Sequence, residues 1–188
     1  MILAFHKPYR VLSQFTADGS ANDTLARFDF PPGIYPLGRL DADSEGLLLL
    51  SDEAGLNSRL LDPEAAHPRT YCSLVERIPA EESLAQLRRG VLFDGGMSRP
   101  CQAVILDPQP LIPPRDPPVR FRKNVPDIWL ELTLTEGRNR QVRKMTAAIG
   151  HPTLRLIRVQ IGLFPLDGLL PGKWQELSDK ERKLVWAK

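Results

Sequence analysis

The sequence predicts an α+β fold in which a mixed, largely antiparallel sheet is flanked by helices. Strand-like and helix-like segments are interspersed along the 188 residues, and several of the helices carry their own start and stop signals. A hydrophobic content of 42% and a charged content of 26% are ordinary for a folded chain of this length. We expect two subdomains, residues 1–60 with C-terminal contributions and residues 61–188.

The first third of the chain predicts two strands and a helix. Ile2–Phe5 is apolar and ends shortly before Pro8, which is typical of a short strand. Leu47–Leu50 is an uninterrupted apolar run, which indicates a strand anchored in the core. Leu56–Leu61 predicts a short helix that ends at Asp62, because the residue before a proline disfavours helical geometry.

The middle of the chain predicts a strand, a helix and two shorter strands. Tyr71–Ile78 has the composition of a strand. A helix follows between Pro79 and Gly90, with acids in its first turn that complement the positive end of the helix dipole. Val91–Phe93 and Ala103–Leu106 predict short strands.

A proline-rich segment occupies residues 107–127. Six prolines lie between Pro108 and Pro118, which is too many for a helix or a central strand. We therefore expect a long, irregular surface loop, a feature that often has a function in a compact domain. Its basic side chains are Arg115, Arg120, Arg122 and Lys123.

The last third predicts two strands and two helices. Trp129–Thr135 alternates strictly between apolar and polar residues, which indicates a half-buried strand. Asn139–Ile149 has a helical apolar stripe, and Ile157–Ile161 alternates like a strand. Ser178 and Glu181 have the spacing of a capping box and predict a final helix.

Composition excludes several classes of protein. The longest apolar run is four leucines, far short of a membrane span, and the N-terminus is too brief for a signal peptide. Two cysteines, Cys72 and Cys101, indicate neither a disulfide framework nor a multi-cysteine metal site. We expect a cytoplasmic protein with no membrane partner and no bound metal.

The charge distribution points to nucleic acid more strongly than the net charge of +2 does. Between Arg115 and Arg158, eight arginines and two lysines face four acids, so the block carries +6. Arginines outnumber lysines by 18 to 7, and the guanidinium fork suits phosphate and base edges. The charge pattern is therefore compatible with two interpretations, a nucleic-acid-binding surface and charged faces that are merely solvated.

Two segments concentrate chemically useful side chains. Asp41 lies in the polar segment Gly38–Gly46, directly before the apolar run that anchors it. About a hundred residues later, Glu136–Met145 carries three arginines and a lysine. An aspartate beside glycine and serine is often a turn residue or helix cap. Asp41 taken alone is therefore compatible with a structural role as well as a catalytic one.

These segments together resemble the motifs of a known family. Gly38-Arg39-Leu40-Asp41 with the following Ser44–Leu49 is similar to the catalytic motif of RsuA-type pseudouridine synthases, which act on ribosomal RNA. Arg69-Thr70-Tyr71 resembles their second motif, with arginine where lysine is frequent. Glu136–Met145 and Leu156-Ile157-Arg158 resemble the third, and the match covers nearly the whole chain.

The resemblance implies a catalytic role for four side chains. Asp41 is expected to be the essential carboxylate, ionised and acting covalently or by proton transfer at the ribose. Arg143 or Arg138 is expected to pair with it, because desolvation would otherwise neutralise the carboxylate. Tyr71 is expected to stack on the extruded uracil. The active-site cleft is expected between the two subdomains.

The resemblance also implies an RNA-binding surface. Arg39 is expected to fill the space that the base vacates or to hold the phosphate of the flipped nucleotide. The other expected RNA-binding residues are Arg69, Arg120, Arg122, Lys123, Arg140 and Lys144. The implied substrate is a uridine of large-subunit (23S) ribosomal RNA, bound by a monomer that uses no cofactor and begins directly with the catalytic domain, without a preceding S4-type module.

The residues alone are also compatible with two other functions. Asp41 and Asp43 are two residues apart and are compatible with an acid/base pair in a hydrolase that cleaves N-glycosidic bonds. Alternatively, the chain binds RNA without catalysis.

Overall fold

The protein forms two compact units. The computed structural model describes residues 1–119 and 123–187. The first unit comprises Met1–Arg69 and Ile157–Lys188, and the second comprises Thr70–Leu156. Residues 61–69 belong to the first unit together with the C-terminal segment. The carbonyl of Pro68, for example, accepts a 2.9 Å hydrogen bond from the amide of Gly162.

Eleven strands and four α-helices occur among the described residues. In chain order they are β1 (Ile2–Lys7), β2 (Tyr35–Leu37), β3 (Glu45–Ser51), α1 (Leu56–Leu61), β4 (Arg69–Glu76), α2 (Glu81–Arg89), β5 (Leu92–Phe93), β6 (Gly96–Met97), β7 (Gln102–Ile105), β8 (Asp127–Leu134), α3 (Gln141–Ala148), β9 (Thr153–Ile161), β10 (Phe164–Pro165), β11 (Trp174–Glu176) and α4 (Asp179–Trp186).

In the first unit the strand order is β11-β1-β3-β9. β3 pairs antiparallel with β1 and β2 and parallel with β9, so the sheet is mixed. Every residue of β3 is buried, and Leu47 and Leu49 pack with Ile2 and Ala4 in one core cluster. The prediction of a mixed, largely antiparallel α+β fold is confirmed.

In the second unit the strand order is β4-β8-β7. β8 buries Leu130, Leu132 and Leu134, as its alternation predicted. α2 and α3 contribute apolar side chains, including Leu87 and Met145, to the same core cluster. β5 and β6 form a separate two-stranded hairpin.

The longer predicted elements are present with shifted ends, whereas several short ones were not anticipated. α3 begins at Gln141 instead of Asn139, because Arg140 has a φ of 51° and lies in the left-handed region. β2, β6, β10 and β11 have two or three residues each, too few to show a periodicity. No helix in the described part of the chain combines the length and apolar character needed to cross a membrane.

Candidate active site

The loop that carries Asp41 is held by hydrogen bonds to its backbone on both sides of that residue. The amide of Gly38 donates to Asn57 Oδ1 at 2.8 Å. The amide of Leu40 donates to Ser13 Oγ at 3.0 Å, and the Ser13 hydroxyl donates back to the Leu40 carbonyl at 2.8 Å. Because Leu40 itself is buried, the residue directly before Asp41 is fixed by both packing and hydrogen bonding.

The second half of the loop is fixed in the same way. The amide of Arg10 donates to the Ala42 carbonyl at 2.7 Å. The amide of Ser44 donates to the Asp41 carbonyl at 3.0 Å and closes a tight turn that begins at the aspartate. Asp41 is half-buried at the first position of this turn. Its carboxylate is therefore presented by a preorganised backbone, as a catalytic group requires.

A buried lysine lies close to the acids of this loop. The side chain of Lys7 is fully buried, and its Nζ donates to the carbonyls of Val11 at 2.7 Å and Pro8 at 3.0 Å. Burial lowers the pKa of Lys7 to about 7, although the negative charges of Glu45, Asp43 and Asp41 oppose the shift. Sequence reasoning missed this residue. The only signal was a lysine at the end of an apolar strand.

Arg158 is a second buried cation of the same unit that sequence reasoning did not assign to the site. It is 4% exposed, and its Nε donates to the Leu47 carbonyl at 2.8 Å. Lys7, Gly46 and Arg158 are neighbours across three strands, since Lys7 is in register with Gly46 and Gly46 with Arg158. The positive charge of Arg158 further lowers the pKa of Lys7.

Gly46 is required by the close approach of β9. A Cβ at this position would lie 2.3 Å from the carbonyl oxygen of Arg158, and the φ of Gly46 is +103°. Glycine is the residue type that tolerates both conditions. The glycine of the Ser-Glu-Gly segment thus sets the spacing between β3 and β9 directly behind the Asp41 loop.

Arg39 is exposed next to this loop, as the RNA-binding prediction requires. Its Nη2 donates a long 3.4 Å hydrogen bond to Gln14 Oε1. Arg69, in contrast, is 7% exposed and donates through Nη2 to the Leu60 carbonyl at 2.7 Å. Arg69 therefore has little surface to offer to RNA.

In the second unit, Tyr71 and Arg143 stand on different elements. Tyr71 is half-buried on β4 and packs against the core cluster of this unit. Arg143 is half-buried on α3, and its Nη1 donates to the Thr153 carbonyl at 3.3 Å. Thr153 is itself fixed by side-chain hydrogen bonds to Ser73 at 2.9 Å and Thr146 at 2.8 Å.

The guanidinium of Arg138 is occupied by the β5–β6 hairpin. It donates to the carbonyls of Gly96 at 3.3 Å, Met97 at 3.2 Å and Phe93 at 3.1 Å. It also lies 3.9 Å from the centroid of the Phe93 ring. Of the two arginines predicted to pair with Asp41, Arg138 thus has a structural task within its own unit.

The remaining predicted RNA-binding residues differ in exposure. Arg140 and Lys123 are exposed. Lys144 is only partly exposed, and it pairs with Asp94 and donates to Asn139 Oδ1 at 3.0 Å. The expected contributions of Arg120 and Arg122 lie outside the described residues. Within the described ranges, no group of three or more His, Cys, Asp or Glu side chains is placed to hold a metal ion.

Comparison with known proteins identifies the family. Residues 1–148 match the family model described as RNA pseudouridylate synthase. The chain belongs to the RNA pseudouridylate synthase family. It is therefore an isomerase that acts on RNA, and the motifs around Asp41, Tyr71 and Arg143 fall within the matched residues.

Individual relatives of the synthase are similar over most of their length. A protein named ribosomal large subunit pseudouridine synthase E from Xanthomonas axonopodis pv. citri (strain 306) is 56% identical over 91% of this chain and 90% of its own. A protein of the same name from Vibrio parahaemolyticus serotype O3:K6 (strain RIMD 2210633) is 47% identical, over 94% of this chain and 74% of its own. A solved structure described as a pseudouridylate synthase superposes with a TM-score of 0.78 at 25% identity, over 98% of this chain and 73% of that one.

Proposed function

We propose that this synthase isomerises a specific uridine of large-subunit (23S) ribosomal RNA to pseudouridine, with Asp41 as its essential carboxylate. The observation that carries the proposal is the 56% identity, over nine-tenths of both chains, to a protein named for large-subunit pseudouridine synthesis. Lys123 and Arg140, exposed members of the basic block named above, support an RNA substrate, because exposed cations bind phosphate.

The reaction explains the need for an ionised, fixed carboxylate. Uridine is joined to ribose through N1 and pseudouridine through C5. The N-glycosidic bond must therefore break, the uracil must turn while it stays bound, and a carbon–carbon bond must form with loss of the C5 proton. Asp41 acts at the ribose, either as a covalent nucleophile or by proton transfer. The five hydrogen bonds to the backbone of the Asp41 loop keep the carboxylate in place during these steps.

Arg143 is the cation that we assign to Asp41 in the enzyme–RNA complex. Arg138 is the weaker candidate, because three carbonyls of the β5–β6 hairpin already accept hydrogen bonds from it. A carboxylate that is covered by a bound nucleotide needs a compensating charge to stay ionised. Tyr71 stacks on the detached uracil and retains it between bond breaking and bond formation, a contact worth about 1–3 kcal/mol.

The RNA backbone is held by exposed cations. In the described residues these are Arg39, Arg140 and Lys123. Arg120 and Arg122, which we also assign to RNA binding, lie outside the described residues. Lys144 contributes less, because Asp94 already neutralises it. We place the enzyme in the cytoplasm as a monomer without a cofactor, since ribosomal RNA is transcribed and modified there and the isomerisation consumes no co-substrate.

A tritium-release assay tests the proposal. In vitro transcribed 23S rRNA labelled with tritium at uracil C5 releases the label only if C5 loses its proton. We expect release with the wild-type protein, none with Asp41→Asn, and near-normal release with Asp43→Asn, a matched control two residues away on the same loop. Liberation of free uracil, or equal loss in both variants, would favour the Asp41/Asp43 hydrolase and refute the proposal. RNA binding without either product would favour the non-catalytic alternative.

A further inference from the structure

The β5–β6 hairpin presents two large apolar side chains to solvent. Leu92 is 65% exposed and Met97 is 61% exposed. The two residues are direct cross-strand neighbours, so their side chains form one continuous apolar edge. Phe93, the next residue, points the other way and is buried in the core of the second unit. The alternation of the strand therefore turns the apolar edge outward.

The turn of the hairpin is tight and well defined. Asp94 has a φ of 48° and Gly95 a φ of 75°, the two consecutive positive values of a type I′ turn. At the other end, the Ser98 amide donates to the Val91 carbonyl at 2.9 Å, and the Val91 amide donates to Ser98 Oγ at 2.9 Å. The hairpin is thus closed at both ends.

Two cations of the third motif attach this hairpin to the segment around α3. An isolated hairpin with two-residue strands has little stability of its own. Arg138 compensates by donating to the three carbonyls of Phe93, Gly96 and Met97 and by stacking on the Phe93 ring. Lys144 pairs with Asp94 in the turn. The apolar edge is therefore held rigidly in the exposed position.

Exposed basic side chains lie on the segments next to this edge. Arg89 and Arg99 are exposed and start from the same end of the hairpin, because Gly90 and Ser98 are in contact: a Cβ on Gly90 would lie 2.5 Å from the Ser98 carbonyl oxygen. Arg140, at the start of α3, is exposed as well. An apolar edge next to basic side chains is complementary to unstacked bases, whose faces are apolar and whose backbone is anionic.

We propose that Leu92 and Met97 form a wedge that packs against unstacked bases of the RNA substrate and stabilises the opened RNA. The inference rests on the proposed function and adds the element that compensates for base extrusion. A base that leaves a helix exposes the faces of its neighbours, and leucine and methionine are among the side chains that proteins insert at such steps. The neighbouring basic side chains favour RNA over a protein partner as the occupant.

The test compares two double variants on tritium-labelled 23S transcript. Leu92→Ser/Met97→Ser removes the wedge. Ile78→Ser/Leu170→Ser removes two other apolar side chains, which are 58% and 69% exposed, and serves as the matched control. We expect kcat/KM to fall at least about tenfold for the wedge variant, the effect of losing the packing on one or two bases, and to stay within about twofold for the control.

Two further measurements separate the wedge from a structural or electrostatic role. Leu92→Met/Met97→Leu keeps the apolar surface and should retain wild-type turnover. The ratio of wild-type to wedge-variant activity should stay constant between low and moderate salt, because no phosphate contact is removed.

Equal activity of the two double variants would overturn the inference, and so would a ratio that changes strongly with salt. Full turnover of the wedge variant on the transcript, with loss of modification in cells, would assign the edge to a protein partner and overturn the RNA assignment. No tritium release by the wild-type protein would instead refute the proposed function, and the wedge with it.

Discussion

The buried Lys7 predicts a specific pH dependence of stability. Its pKa is lowered from 10.5 to about 7 in the folded protein. Between these two values the unfolded chain binds a proton at Lys7 that the folded chain lacks, so raising the pH through this window stabilises the fold. Below about pH 7 the lysine is protonated in both states, and the cost of burying the charge is present in full.

The magnitude follows from the size of the shift. Each pKa unit corresponds to about 1.4 kcal/mol, so the two protonation limits differ by roughly 5 kcal/mol, and about 2.5 kcal/mol of that difference falls between pH 6 and pH 9. Lys7→Met cannot titrate at this position and loses the hydrogen bonds to Val11 and Pro8 at every pH. The free energy of unfolding of the wild type minus that of Lys7→Met should therefore rise by about 2.5 kcal/mol across this range.

Urea unfolding, followed by the fluorescence of the three tryptophans, measures this difference at pH 6, 7.5 and 9. Lys180→Met, which removes an exposed lysine, controls for the loss of a positive charge as such. A wild-type-minus-variant difference that is flat across these pH values, or that falls as the pH rises, would refute the account of Lys7 as a lysine whose burial favours its neutral form.

Three further predictions concern the Asp41 loop and its surroundings. Gly46→Ala should destabilise the first unit by about 3 kcal/mol or more in thermal or urea unfolding, because a Cβ meets the backbone of β9. Gly19 has a similar positive φ but open space around it, so Gly19→Ala should cost only about 1–2 kcal/mol. Equal losses in the two variants would contradict the steric argument. Ser13→Ala removes both hydrogen bonds to Leu40 and should lower the free energy of unfolding by about 1–3 kcal/mol. It should also lower kcat more than it weakens RNA binding, because the backbone before Asp41 is no longer fixed. An unchanged kcat would contradict this. Arg143→Ala should reduce kcat about a hundredfold with little change in RNA affinity, and near-normal turnover would exclude Arg143 from the active site. Arg138→Ala should instead lower the protection of the β5–β6 hairpin amides in hydrogen exchange.

Elements with local signals could be predicted from the sequence. The final helix has a complete capping box between Ser178 and Glu181, and the structure shows both of its hydrogen bonds. The alternation of β8 and the apolar run of β3 were equally clear, because burial of one or both faces of a strand determines which consecutive residues are apolar. β11 has no such signal, and its position depends on pairing with β1 across most of the chain.

The same distinction applies to the site. The segment around Asp41 could be recognised because its residues are contiguous. Lys7 and Arg158 could not, because their burial results from three strands that meet only in the folded protein, at Gly46. Arg138 was expected to pair with Asp41 and Lys144 to bind RNA, but their observed partners belong to a hairpin some 45 residues earlier in the chain.

The central claim is that Asp41 converts one uridine of large-subunit ribosomal RNA into pseudouridine. Mapping pseudouridines across the ribosomal RNA of cells that lack the gene, and of the same cells complemented with the wild-type protein or with Asp41→Asn, tests it most directly. We predict that one 23S position loses the modification and regains it with the wild type alone. Restoration by Asp41→Asn, or an unchanged map after deletion, would contradict the claim.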